Sequence, residues 1–130
     1  MSQVHLGEYR QEAASLIASG QHAAARRVAE HMLHDYPDYI QGHHLLAQSL
    51  LGAGHLLDAA AQFSWVLSCD PESAAARLGL ARVHRTLGNT RLAQTHLARA
   101  FDLFPGDPEL RDEMNALMAS DAQMVTQRNE

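Results

Sequence analysis

The residues best suited to chemistry in this chain are nine histidines, one cysteine and ten basic residues that are all arginine. The nearest histidine pairs are His31 with His34, three residues apart, and the adjacent His43 and His44. No second cluster completes either pair, and the lone thiol of Cys69 comes without a CxxC or HExxH, so no metal site is expected. The absence of lysine excludes Schiff-base chemistry, a P-loop lysine and a lysine general base. Gly52 and Gly54 are the only close glycine pair, but Leu57 stands where a dinucleotide fingerprint would need its third glycine, and the pair reads as a helix terminus. Asp112 and Glu113 read as the solvated face of a helix rather than as an acid/base pair. Without a recognisable Ser/His/Asp arrangement, the expectation is a non-enzyme with no catalytic residues and no cofactor.

Charge and composition narrow the partners. Fifteen acidic residues against ten arginines leave a formal net charge of -5, which repels phosphate and speaks against nucleic acid. The apolar share of 46% comes with only 5% aromatics, and Ala and Leu dominate it, as suits helices packed through small side chains. An all-α class follows. Cys69 lies in an apolar run with Phe63, Trp65, Val66 and Leu67, which favours a buried or half-buried thiol in a reducing compartment. The first residues, Met1 to Glu8, lack a basic region before an apolar stretch, and no run approaches 18 apolar residues, so a soluble, cytoplasmic protein with no membrane partner is expected.

A fixed period organises the elements that position these side chains. Pro37, Pro71 and Pro105 stand 34 residues apart, and Gly20, Gly54 and Gly88 keep the same interval, as do Ala25, Ala59 and Ala93. Further columns follow in register: Ala13, Ala47 and Ala81; Ala29, Phe63 and Leu97; Met32, Val66 and Ala100; Leu33, Leu67 and Phe101; and, less faithfully, Glu12, Leu46 and Leu80. Each period reads as two antiparallel helices. Glycine suits the left-handed residue that ends the first helix, alanine lets the helices approach, and proline stops the second. The predicted helices run 6–19, 22–35, 40–52, 56–69, 74–86 and 90–103. A seventh opens at Asp107-Pro108-Glu109, where Asp caps, Pro suits the first turn and Glu complements the positive helix end.

This pattern resembles the tetratricopeptide repeat family, over residues 6–107. The resemblance implies one domain, an α-solenoid of three helix-turn-helix repeats (6–39, 40–73 and 74–107) wound as a right-handed superhelix. A capping helix over 108–120 and a polar tail over 121–130 complete it. The early aromatic of the family pattern is Tyr9 in the first copy but His43 and Arg77 in the others, and the later one is Leu16, Leu50 and His84. The seventh helix is read alternatively as the start of a fourth repeat of a longer protein.

The resemblance also implies a concave groove lined by the first helix of each repeat, and so a module that binds a peptide or protein segment. Carried over by register, the groove columns are Arg10, His44 and Leu78; Ala14, Gln48 and Arg82; and Ile17, Leu51 and Arg85. Segments 40–52 and 74–86 contain no acidic residue, which leaves a positive, partly apolar groove in an acidic protein. A peptide with an acidic residue or free C-terminus beside apolar anchors is the expected ligand, because arginine forks two hydrogen bonds to a carboxylate. Solvated arginines are the alternative. Of the family's carboxylate-clamp set only Arg10 matches, with Ala14, Leu45, Ala75 and Gly79 in the other places, so that specificity is not expected. On the opposite face Trp65 shares a column with His31 and Arg99 and is expected to face solvent, as a contact for a partner or for a homo-oligomer. A self-associating scaffold and a regulatory segment of a larger enzyme are the competing functions.

Overall fold

A computed structural model describes residues 3–129 of the chain. Among these residues the structure is all helical: α1 (Gln3–Ala18), α2 (His22–Asp35), α3 (Ile40–Gly52), α4 (Leu56–Cys69), α5 (Ala74–Thr86), α6 (Thr90–Leu103) and α7 (Pro108–Asn129). The helices group into two compact units, Met1–Pro71 with α1–α4 and Glu72–Glu130 with α5–α7. In the first unit α1 packs on α2 and α3, and α3 packs on α2 and α4; in the second α5 packs on α6, and α7 lies against both.

Local chemistry sets the helix ends. Gly20, Gly54 and Gly88 take φ of 79°, 86° and 83°, the left-handed region that a Cβ disfavours. Each lets the chain fold back on the helix it ends: Gly54 N–H donates to Leu51 O at 3.1 Å and His55 N–H to Leu50 O at 2.9 Å. The same two bonds recur as Gly20 to Ile17 and Gln21 to Leu16, and as Gly88 to Arg85 and Asn89 to His84. This paired closure satisfies carbonyls that a helix otherwise leaves open. At helix starts, Ser73 accepts from Ala76 N–H at 3.1 Å, and Asp107 accepts from Glu109 N–H at 2.9 Å.

Four of the periodic columns lie in the core, while Leu33, Leu67 and Phe101 are half-buried. Ala13, Ala47, Ala81, Ala25, Ala59 and Ala93 are fully buried, and so, within 2%, are Ala29, Phe63, Leu97, Met32, Val66 and Ala100. Alanine at these crossings lets backbones approach, while the larger residues fill the space between turns, each contributing about 1.5–3 kcal/mol by burial. Glu12 departs from its column: it is exposed, whereas Leu46 and Leu80 are buried.

Four expectations change. α1 begins at Gln3 rather than near residue 6, and α7 runs to Asn129 instead of ending near 120. Cys69 is exposed, not buried, because it is the last residue of α4 and falls past the turn that Val66 anchors to the core. Glu113, read as solvated, is 4% exposed.

Candidate functional site

In the first unit, a cleft of about 460 Å³ opens between α1 and α3. From α1 it takes Gly7, Arg10, Gln11 and Ala14, spaced three, four and seven residues apart on one helical face. From α3 it takes Gln41, His44 and Leu45. Gly7 and Ala14 keep the α1 wall low on either side of Arg10. A peptide backbone can approach closely there.

The polar groups of the cleft are held in place. Arg10 Nη1 donates to Gln41 Oε1 at 2.6 Å, and Tyr39 Oη donates to the same oxygen at 2.8 Å. One acceptor oxygen therefore anchors the guanidinium while most of its five N–H donors remain to be used. Among the described residues no carboxylate is in ion-pair contact with Arg10. His44 is half-buried, its ring edge-to-face with Phe63 at 5.7 Å between centroids. Burial holds its pKa below the ordinary histidine value, so it enters the cleft as a neutral imidazole that donates at one nitrogen and accepts at the other.

Of the expected groove residues, Arg10, Ala14 and His44 are brought together in this cleft; Ile17, Gln48 and Leu51 are half-buried on α1 and α3 but do not line it. Gln41, Tyr39 and Gln11 were missed. Gln41 lies three residues before His44, a spacing that could have flagged it.

The second unit places the remaining expected groove residues against α7. Leu78 is 5% exposed and packs in a core with Ala81, Leu97, Leu110 and Leu117, under α7. Arg85 forks the Glu113 carboxylate of α7, Nε to Oε2 at 2.6 Å and Nη2 to Oε1 at 3.1 Å, and Arg82 Nε stands 3.5 Å from Oε1. The hydrogen bond to Glu113 raises the Arg85 pKa above its ordinary value against the opposing effect of burial. Arg82 and Arg85 are thus both engaged by α7 while their side chains stay 40% and 30% exposed. Neither spacing nor composition could have paired them with a residue 28 positions on from Arg85.

Trp65 is half-buried and not turned to solvent. Its ring stacks on His43 at 3.7 Å, and His43 in turn contacts Gln62 Oε1 and Pro37 O, each at 2.7 Å from a ring nitrogen. One period earlier Tyr9 meets His31 edge-to-face at 5.1 Å. In the first two hairpins the column expected on the outer face therefore packs against the column of the family's early aromatic, which is why the indole is covered.

Elsewhere, His84 and His96 lie parallel at 5.7 Å, joining α5 to α6. Burial, then the charges of His84 and Arg77, hold His96 below the ordinary pKa, and its Nδ1 is buried with no hydrogen-bond partner. Among the described residues no three His, Cys, Asp or Glu side chains converge as a metal site, and no helix is long and apolar enough to cross a membrane.

A family model for the tetratricopeptide repeat matches residues 50–120, from the end of α3 through the buried part of α7. No curated protein matches the chain.

Proposed function

Because the chain belongs to the tetratricopeptide repeat family, whose members are generally non-catalytic modules for protein–protein interaction, we propose that it is an adaptor that takes a peptide segment of a protein partner into the cleft between α1 and α3. Arg10 receives a carboxylate, from an acidic side chain or a C-terminus, and apolar anchors of the ligand rest along Ala14 and Leu45. His44 and Gln11 complete the polar contacts to the peptide backbone.

The observation that supports this reading is the state of Arg10. It is oriented by Gln41 inside a partly apolar cleft, with no carboxylate of its own among the described residues. Such a charge is a ready receptor, since a forked arginine–carboxylate pair is stronger than two neutral hydrogen bonds. The test is a peptide array that varies the position of an acidic residue or free C-terminus next to an apolar anchor, with hits titrated by fluorescence anisotropy. Arg10→Ala is expected to weaken the best hit by about tenfold or more, and Arg10→Lys to restore only part of it. Equal affinity for wild type and Arg10→Ala would overturn the assignment.

A further inference from the structure

α7 presents one stripe to α5 and α6: Leu110, Glu113, Met114 and Leu117, at helical spacings of three, four and seven. Leu110 and Leu117 are buried in the core with Leu78, Ala81 and Leu97, and Met114 packs at its edge. Between them the Glu113 side chain, only 3% exposed, is held by Arg85 and Arg82, whose own side chains are 30% and 40% exposed. A helix serving only as a lid has no need of that charge. An apolar residue at 113 would fill the space without desolvating a carboxylate.

What the pair of arginines adds is selection. They demand a carboxylate at one register of whichever helix lies on this face, flanked by apolar residues three before and four after it. Their half-exposed guanidinium groups stay within reach of an incoming acid. Among the described side chains of α7 the buried ones are Leu110, Glu113 and Leu117, while Met118 is 62% exposed and residues 119 and 121–123 are exposed as well. Among the described side chains, one buried stripe and one ion-pair cluster seat the helix, and a competing helix can reproduce both.

We infer that this face of α5 and α6 is a receptor for an acidic amphipathic helix of a protein partner, filled in cis by α7, and that a partner helix with the pattern Leu-x-x-Glu-apolar-x-x-Leu displaces α7 from it. This second site is independent of the Arg10 cleft, which lies in the other unit.

The probe is a synthetic peptide of residues 107–123 with norleucine for methionine, so that its fragments differ in mass from α7. It is added in trans to the full wild-type chain, and amide hydrogen exchange is followed. At saturation the amides of 110–117 are expected to exchange about tenfold faster while those of α1–α4 are unchanged, and a peptide carrying Glu113→Gln is expected to have no effect. In a second arm, a fluorescein-labelled peptide is expected to bind the Glu113→Gln chain about tenfold more tightly than wild type, and Arg85→Ala in that background to abolish binding. Unchanged exchange in α7 at saturating peptide, or equal effects of the Glu and Gln peptides, would sink the receptor assignment. The first arm needs no variant, so it decides the question even if Glu113→Gln unfolds. A Glu113-dependent dimer in light scattering, formed without peptide, would assign the occupant to a second copy and overturn the partner.

Discussion

Arg85 and Glu113 form a two-point ion pair between α5 and α7, with Nε–Oε2 at 2.6 Å and Nη2–Oε1 at 3.1 Å, and the carboxylate side of it is almost entirely out of water. The two partners are unequal. Arg85 can be resolvated where it sits, whereas Glu113 has exchanged its water for guanidinium N–H groups.

That inequality predicts different outcomes for the two ends. Arg85→Ala strands a buried carboxylate with only Arg82 at 3.5 Å, whereas Glu113→Ala leaves two half-exposed arginines that water can reach. Arg85→Ala is expected to cost about 2–4 kcal/mol and Glu113→Ala about 1–2 kcal/mol, the latter discounted for solvent screening. Urea unfolding followed by circular dichroism reads both, and the reverse order would refute the asymmetry.

Acid should weaken both units through their half-buried histidines. His96 in the α5/α6 pair and His44 in the α1/α3 cleft have folded-state pKa values below the ordinary one. The unfolded chain therefore binds more protons, and stability rises with pH. The contribution is fully present above the unfolded value of about 6.5 and is lost as pH falls below it toward the folded values. The urea midpoint is expected to drop between pH 7.5 and 5.5, and His96→Gln or His44→Gln to flatten part of that slope. A midpoint unchanged over this range in wild type would exclude the effect.

The left-handed glycines make a local prediction. Gly54→Ala and Gly88→Ala have open space for a Cβ yet force it onto φ of 86° and 83°. Each is expected to destabilise by about 1–2 kcal/mol, with Gly→Asn milder because asparagine tolerates this region. If alanine and asparagine behave alike at both sites, backbone conformation is not the cause.

Gly52 differs in kind. Its backbone is ordinary helix, but a Cβ there would collide with the His22 ring, so sterics replace conformation as the reason for glycine. Gly52→Ala is expected to lower the thermal midpoint and His22→Ala to recover part of the loss in the double variant, a coupling that additive single effects would disprove.

Trp65 offers an optical reporter of the α3–α4 contact. With His43 stacked on the indole at 3.7 Å, emission is expected to be quenched and blue-shifted relative to a hydrated tryptophan. His43→Ala should raise the yield and shift the maximum to the red. A wild-type spectrum already typical of water would contradict the covered ring.

Helix limits were legible in the residues because the signals that set them are local. The 34-residue glycines supply a conformation and the prolines remove a donor, and neither needs a distant neighbour to act; five of the seven helices start and stop where those signals place them. The alanine columns were legible too, since small residues recurring in register can only mark close crossings, and all six of the paired ones are fully buried. The surface side chains were not. Facing alone suggested that Arg82, Arg85 and Leu78 stand open, that Glu113 is solvated and that Trp65 looks outward.

What the sequence by itself determined is the period, the helices and the identity of the core columns, because each depends on backbone preferences and on spacing along one chain. Which charges stand ready for a partner was decided only by the tertiary structure. Arg10 and Arg85 are the same residue type on equivalent faces of first helices, yet one is held by Gln41 beside an open cleft while the other is closed on Glu113. The difference lies in what packs alongside. An ion pair depends on the placement of a second helix, and α7 brings a carboxylate to Arg85 where α3 brings an amide to Arg10.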